Sequence, residues 1–292
     1  MAEDIQVSVC VMTYNHAPFI RECLDSILNQ KTSFSFEVIV NDDCSTDGTT
    51  EIVREFENKY PGIIIPVYHK HNLYREFKNA HKDYYNHIMF PMARGKYIAC
   101  CDGDDYWLTD NKLQRQYNIM ESNPNYSLCH HSFLILKDGA LTERLYKSTP
   151  TQNLEEAAYS AHIQTTSMFF RNPHQQLVPE DFDFKHTIYQ FFWAIRLAEF
   201  GDVYYIDEPL SVARQHVGGS FNGSDSHQRF IMSLGNIDNM IDWYKRENSV
   251  PNVVRALKRR GRKTVIPYIL SSIKRFRLKD AFMMIKWSLK YC

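Results

Sequence analysis

The sequence predicts an α/β fold: a mostly parallel sheet flanked by helices, followed by a helical C-terminal extension. Three observations carry that expectation. Strand-like and helix-like apolar patterns alternate from residue 6 to residue 68. Each strand-like run gives way to a polar loop. A further apolar run, Tyr97-Ile98-Ala99-Cys100-Cys101, leads straight into Asp102-Gly103-Asp104-Asp105. Such alternation gives parallel strands joined by right-handed crossovers. Ligands of open α/β sheets bind outside the carboxyl ends of the strands, so the polar loops and the acids are expected on one edge.

The elements follow in order. Residues 6–12 alternate and are rich in Val, as a strand does, and end in the loop Thr13-Tyr14-Asn15-His16. Residues 18–28 carry Phe19, Ile20, Cys23, Leu24, Ile27 and Leu28 at helical spacing. Residues 36–40 form a second strand, ending in Asn41-Asp42-Asp43-Cys44-Ser45-Thr46-Asp47-Gly48. A helix over 49–60 is stopped by Pro61-Gly62, and a third strand covers 63–68. His69, His71, His81 and His87 follow without a coherent ligand spacing and read as surface or packing residues. In the second half, a helix is expected over 110–120, strands over 126–131 and 133–136, and a turn at Asp138-Gly139. A helix is expected over 188–200 and a strand over 203–206, and the resemblance given below implies a further strand over 164–171.

The carboxylates after Cys101 call for compensation, because clustered acids raise one another's pKa. Oxygen donors of this type suit Mg²⁺ or Mn²⁺ rather than Zn²⁺. The loop 42–48 resembles the start of an EF-hand. The twelfth residue counted from Asp43 is Arg54 rather than Glu, so calcium binding of that type is excluded. No G-x-G-x-x-G follows the first strand, so the usual dinucleotide motif is absent.

Composition sets the class. With 44% apolar and 23% charged residues in 292, the chain reads as an ordinary globular protein. Its formal net charge is zero, which implies no nucleic-acid partner. The seven cysteines are odd in number and contain no C-x-x-C, so they read as reduced thiols. The acidic start Met1-Ala2-Glu3-Asp4 and the lack of a membrane-length apolar run lead to the expectation of a cytoplasmic protein.

Taken together, Val7-Ser8-Val9 with Thr13-Tyr14-Asn15, Asp42-Asp43-Cys44-Ser45-Thr46-Asp47, Gly95-Lys96-Tyr97-Ile98 and Asp102-Gly103-Asp104-Asp105-Tyr106-Trp107 resemble the family 2 glycosyltransferases. These have the GT-A fold, a Rossmann-like nucleotide-diphospho-sugar transferase fold. The resemblance spans roughly residues 5–221. It implies a catalytic domain over 1–224, with a nucleotide-sugar half over 1–107 and an acceptor half over 108–224. It also implies a UDP-sugar donor, a divalent metal cofactor and inverting transfer to a hydroxyl of a glycan or lipid-linked glycan acceptor in surface-polysaccharide synthesis. Thr13, Tyr14 and Asn15 would line the nucleotide pocket, and Asp42 or Asp43 would bond the uracil. Asp102 would approach the ribose or the metal, and Asp104 and Asp105 would complete the metal site. The backbone at Gly103 would let the diphosphate come close. Arg214-Gln215-His216-Val217-Gly218-Gly219 resembles the family's closing loop. There His216 would touch metal or diphosphate, and Arg214 would support the phosphates or the fold.

One position departs from the family. The general base is an Asp at the start of the helix that ends here in Leu197-Ala198-Glu199-Phe200-Gly201. Counting back lands on Gln190, preceded by Tyr189 where the family has Gly. Gln cannot accept a proton usefully. Asp183, Asp181 or Glu180 could reach the site from the preceding loop, or His186 could serve. The remaining alternative is a protein that binds nucleotide-sugar with little turnover. A nucleotidyltransferase is disfavoured because Thr13-Tyr14-Asn15-His16-Ala17-Pro18 is not a Gly-rich basic phosphate loop.

From residue 225 the chain reads as helical, and beyond Pro251 as strongly basic, with Asp280 the single acid. Apolar residues are interleaved. Two expectations stand side by side: residues 255–290 contact an anionic membrane from the cytoplasmic side, or they pack on the catalytic lobe with a solvated basic face.

Overall fold

The computed structural model describes residues 4–76, 84–143, 149–173, 177, 179, 182, 189–216, 226–247, 250–274 and 291. β1 (Ile5–Thr13) is buried along most of its length, as a strand covered on both faces must be. α1 (Ile20–Leu28) buries Ile20, Cys23, Leu24 and Ile27, a stripe at helical spacing. β2 (Ser35–Asp42), α2 (Thr49–Lys59) and β3 (Ile64–Tyr68) complete the expected alternation. The connection onward contains a helical turn, Leu73–Glu76, and a π-helical segment, Tyr84–Met89, continued by Phe90–Met92. β4 (Tyr97–Asp102) delivers the acids, β5 (Tyr106–Trp107) follows at once, and α3 (Lys112–Ser122) comes next.

The second half departs from expectation in detail. Residues 126–131 and 133–136 form one strand, β6 (Tyr126–Lys137). It continues through Ser132 because β10 pairs alongside it to Lys137. The turn at Asp138-Gly139 is present, with φ of 50° and 78°, and leads into β7 (Ala140–Glu143), which sequence did not foresee. β8 (Thr151–Gln152) and α4 (Leu154–Ser160) follow. α4 starts in a capping box between Asn153 and Glu156. The strand expected over 164–171 begins instead as a 3₁₀ turn, Thr165–Ser167, and only β9 (Phe169–Arg171) is extended. α5 (Tyr189–Ala198) lies within the expected helix. β10 (Asp202–Gln215) is far longer than 203–206. It passes Pro209, which has no N–H for the ladder, with register shifts on both sides. α6 (Ser226–Glu247) and α7 (Pro251–Lys274) close the described chain.

The strands form one sheet in the order β3-β2-β1-β4-β9-β6-β10-β5, with β7 on β6 and β8 on β10. β3, β2, β1 and β4 are parallel, as are β6 and β10. The pairings that join these blocks are antiparallel and short. Side chains alternate across β4: Tyr97, Ala99 and Cys101 enter the core under α1, α2 and α3, while Ile98 and Cys100 enter the core under α5, α6 and α7. Ser8, buried in β1, donates to Glu37 at 2.6 Å and accepts the Gly95 N–H at 2.9 Å. Arg94 closes this network on Glu37 at 2.5 Å. The six described cysteines are free thiols.

α6 and α7 join the core by their apolar faces. Trp243 meets Phe182 and Phe192, and Phe230 stacks on Tyr268 at 4.0 Å. Ala256, Leu257 and Val265 of α7 are buried, so this part of the tail packs on the lobe. No described helix is long and apolar enough to cross a membrane.

Lys112 is the unusual core residue. It is fully buried, its ammonium lies 4.1 Å from the Trp107 ring centre, and it donates to Gln116 at 2.8 Å. Gln116 in turn donates to the carbonyls of Cys129 and Ser167. Burial pushes the Lys112 amine down to about 7. Unfolded, it titrates near ~10.4. Between those values the unfolded chain binds the extra proton, so stability rises with pH. Measured against Lys112→Met, the stability of the parent in denaturant titrations should climb by up to about 1.4 kcal/mol per pH unit between about pH 7 and about pH 10. Parallel pH profiles for the two proteins would show that Lys112 stays charged when folded.

Candidate functional site at the carboxyl edge of the sheet

β1, β2 and β4 end together: Thr13 pairs with Asp42, and Met12 with Asp102. The chain runs outward from β1 to β2 and β3, then crosses to β4 on the other side, so this edge is the switch point where ligands bind.

The first two loops are laced together. Asn15 sits at φ 53°, a turn conformation that Asn tolerates. Its N–H donates to Ser45 Oγ at 2.9 Å and its side-chain oxygen accepts the Thr46 N–H at 2.8 Å. The His16 N–H donates to Thr49 Oγ1 at 2.8 Å, and the Ala17 N–H to Asp47 at 3.0 Å. Both carboxylates named for the base have local partners. Asp42 accepts from the N–H and hydroxyl of Ser45 and from the Thr50 hydroxyl. Asp43 accepts the N–H groups of Leu73 and Tyr74, at 2.7 and 3.1 Å, and so caps the short helix. His69, read from sequence as a surface or packing residue, stands at the same edge, 2.8 Å from Asn41 Oδ1. Tyr14 lies half-buried in the β1 loop. The buried Thr13 Oγ1 and Asn41 Nδ2 have no hydrogen-bond partner among the described residues.

The acid loop turns tightly. Gly103 donates to the Met12 carbonyl at 2.7 Å. A Cβ there would meet Thr13 Cβ at 2.8 Å and the Met12 carbonyl at 3.0 Å, so only glycine fits. Asp104 Oδ2 lies 3.0 Å from His216 Nε2 and 3.9 Å from His16 Nε2. The ligand atoms of these three side chains lie within 4.8 Å of one another, close enough to hold a metal ion. Asp102 and Asp105 are not part of that group. Burial, and then the charge of Asp104, push the Asp102 carboxyl up to about 7, opposed by hydrogen bonding from Thr165. Burial acts on Asp104 in the same direction, but the His216 hydrogen bond and the imidazoles of His16 and His216 hold it below the usual range. Burial lowers His16, with Asp104 opposing. Asp105 is pushed well up by burial and by Asp104 and Asp102, and accepts the Arg214 N–H at 2.9 Å.

Arg214 acts behind the loop. One guanidinium nitrogen donates to the Asp104 carbonyl at 2.6 Å and another pairs with Glu22. The group lies 4.5 Å from the Tyr106 ring centre and 5.2 Å from that of Phe19. Of the two roles weighed for Arg214, these contacts are with the fold. Gln190 does reach the site: its Nε2 donates to Thr165 Oγ1 at 2.7 Å, and the Tyr189 hydroxyl is 3.3 Å from the same oxygen. Glu180, Asp181, Asp183, His186 and residues 217–220 lie outside the described residues.

Sequence reasoning missed His16 and Thr165. His16 closes the loop after the first strand, a polar position beside Asn15 that merited the same weight. Thr165 was hidden in a stretch read as regular strand.

The model of the family described as "Glycosyl transferase family 2" matches residues 8–182. An uncharacterized Mycobacterium tuberculosis protein is 30% identical over 230 residues, covering 76% of this chain and 62% of its own. The chain thus spans about three fifths of the length of that relative. The putative teichuronic acid biosynthesis glycosyltransferase TuaG of Bacillus subtilis is 30% identical over 152 residues, covering 52% of this chain and 56% of TuaG. The UDP-Glc:alpha-D-GlcNAc-diphosphoundecaprenol beta-1,3-glucosyltransferase WfaP of Escherichia coli is 31% identical over 147, covering 50% and 53%. Among solved structures, S. aureus TarS 1-349 in complex with UDP-GlcNAc superposes with a TM-score of 0.60 at 19% identity, covering 81% of this chain and 67% of that one. The mannosyltransferase PcManGT of Pyrobaculum calidifontis, in complex with GDP-Man and Mn²⁺, gives 0.53 at 16% identity, covering 100% and 87%. These likenesses bear out the GT-A fold. With more than half of its length matched, the chain belongs to glycosyl transferase family 2.

Proposed function

We propose that this protein transfers a sugar from a UDP-sugar to a hydroxyl of a glycan or lipid-linked glycan acceptor in cell-surface polysaccharide synthesis, with inversion. One observation carries the reading: Asp104, His16 and His216 converge at the switch point of the sheet, where β1 and β4 end. By their names, TuaG is a teichuronic acid biosynthesis glycosyltransferase and WfaP acts on a diphosphoundecaprenol-linked sugar, which supports the acceptor class. UDP-GlcNAc in TarS supports the donor class.

The donor set fits a divalent cation. The carboxylate suits Mn²⁺, and the two imidazoles suit borderline divalent ions as well, so this mixed set differs from the all-oxygen set expected from sequence. His16, Asp104 and His216 would hold it. When bound, such an ion acts as a Lewis acid on the leaving diphosphate. The chain's own residues do the rest. Arg214 fixes the acid loop against α1, and Gly103 lets that loop pack on Thr13 and the Met12 carbonyl, where a side chain would collide. Thr13, Tyr14, Asn15, Asp42 and Asp43 frame the nucleotide, the last two by shaping the loops. The base that takes the acceptor proton would come from Asp183, ahead of Asp181, on the segment before α5. The neutral Gln190 favours a second reading, donor binding with little turnover.

The first test is calorimetry with UDP. Affinity should depend on Mn²⁺ and drop at least about tenfold in Asp104→Ala without loss of folding. Equal affinity of the parent with and without EDTA would remove the metal from the proposal. Asp183→Asn separates the two readings: loss of sugar transfer at unchanged UDP affinity supports the displaced base.

The same reading includes peripheral attachment to anionic lipid at the inner face of the membrane. Along the outward face of α7, exposed Arg255, Arg259 and Lys263 are followed by Ile266, 51% exposed, and Leu270, 57% exposed. Arg259 and Lys263 also flank the Tyr159 ring, at 4.8 and 5.2 Å. Each basic residue near an anionic leaflet is worth about 1 kcal/mol, and the two aliphatic side chains could enter the headgroup boundary. Ile266→Glu combined with Leu270→Glu should abolish co-sedimentation with phosphatidylserine vesicles and leave the fold intact, and salt should weaken binding by the parent. Equal sedimentation of parent and variant would refute the lipid contact.

A further inference from the structure

The resemblance assigned metal contacts to Asp102, Asp104, Asp105 and His216. The structure leaves out two of those acids and brings in a second imidazole from the first loop. We infer that His16 decides which ion the site takes: with Asp104 and His216 it forms a preformed site of two imidazoles and one carboxylate, which binds a borderline divalent ion of the Co²⁺ class before the nucleotide arrives and discriminates against Mg²⁺. The inference rests on the metal reading above and deepens it.

The distances suit one ion. His216 Nε2 lies 3.0 Å and His16 Nε2 3.9 Å from the same oxygen, Asp104 Oδ2. All three ligand atoms fall within 4.8 Å of one another. Ligands bonded to one such ion at about 2.0–2.2 Å stand about 3–4 Å apart, so small movements close the set. The side chains of Asp104, His16 and His216 keep 16%, 17% and 20% of their surface exposed, which lets an ion enter from solvent.

The contacts that hold these ligands involve no nucleotide. Both backbone groups of His16 are engaged. Its N–H donates to Thr49 Oγ1 at 2.8 Å, and its carbonyl accepts the N–H groups of Phe19 and Ile20, each at 2.8 Å. The His216 ring rests on Phe19, with centres 4.6 Å apart. Arg214, two residues earlier, bonds the Asp104 carbonyl and the Asp105 carboxylate. Ligands fixed beforehand cost little to order on binding, so the ion does not need a diphosphate to assemble its site.

Donor type then sets the preference. Mg²⁺ favours oxygen and gives up its waters reluctantly. Imidazole suits borderline ions, and affinity rises from Mn²⁺ to Co²⁺. Asp104 alone would offer one anionic oxygen, a setting in which Mg²⁺ competes. Each imidazole adds an attraction that Mg²⁺ shares least. A merely structural role for His16, as a neighbour of Asp104, would not distinguish one ion from another.

The test uses the full chain, stripped of metal and free of nucleotide. Co²⁺ is the probe, read by calorimetry and by its visible absorption, with Mg²⁺ as competitor and melting temperature as a control for folding. The parent should bind one Co²⁺ per chain, and Asp104→Ala should remove the absorption band. His16→Ala should weaken Co²⁺ binding at least about tenfold, since even an outer partner of a metal ligand is worth that much, and should lower the preference for Co²⁺ over Mg²⁺ by a similar factor. His16→Glu should keep an ion bound and tilt the preference toward Mg²⁺. No Co²⁺ binding by the parent, unchanged Co²⁺ affinity in His16→Ala, or equal losses of Co²⁺ and Mg²⁺ in that variant would overturn the inference. The metal reading fails by a different result, equal UDP affinity with and without EDTA. If Co²⁺ still binds through His16 in that case, the ion site stands and its link to the donor falls.

Discussion

The structure is arranged around the problem of burying three carboxylates within four residues. Asp102 ends a buried strand and Asp104 and Asp105 follow it; Asp105 is buried, and the other two are partly so. Burial, and then their mutual repulsion, push the carboxyls of Asp102 and Asp105 up. Asp104 alone is held in its charged form, and the groups that hold it come from opposite ends of the chain. His16 ends the loop after β1, and His216 follows β10. Arg214 spends its backbone N–H and guanidinium on the same turn. The tight loop at Gly103, the pairing of β10 with β5 and the contact of α1 with the acid loop all serve this arrangement.

Much of this was legible in sequence because the signals are local. The parallel block from β1 to β4 follows from alternating apolar runs and the Gly and Pro residues between them. The acid loop was visible as a change from Cys to Asp at the end of a strand. The second half was less legible. Its strands are defined by pairing between distant residues, and Pro209 breaks the pattern of a strand that continues past it. The same holds for the site. Nothing near His16 in sequence tells that it meets His216; the turn at Asn15 and a pairing two hundred residues away bring them together. For Asp42 and Asp43 the sequence supported both a cap and a ligand contact, and the structure shows the cap contacts.

The C-terminal helices illustrate how one element can serve two surfaces. The inner face of α7 is apolar and packs against α6 and α4, with the Tyr291 ring over Gly261. Its outer face carries the basic residues and two exposed aliphatic side chains. Sequence alone set packing and lipid contact as rivals. On a helix with two faces they are compatible, and the packed face is what holds the other in a fixed orientation.

The reach of β10 has a consequence for biosynthesis. Its partners at the acid loop lie 109 to 112 residues earlier in the chain. A ribosome that has released β4 has exposed the acids, but neither the arginine nor the second imidazole that hydrogen-bonds to their turn exists yet. The nascent first half therefore carries an unbalanced negative knot at its open edge. Contacts of such long separation form late and slowly, and domains emerge from the N-terminus at about 5–20 residues per second. For many seconds of synthesis, solvent and counterions must do what Arg214 and His216 do later. The last strand of the sheet is thus also the one that makes the first half electrostatically self-sufficient.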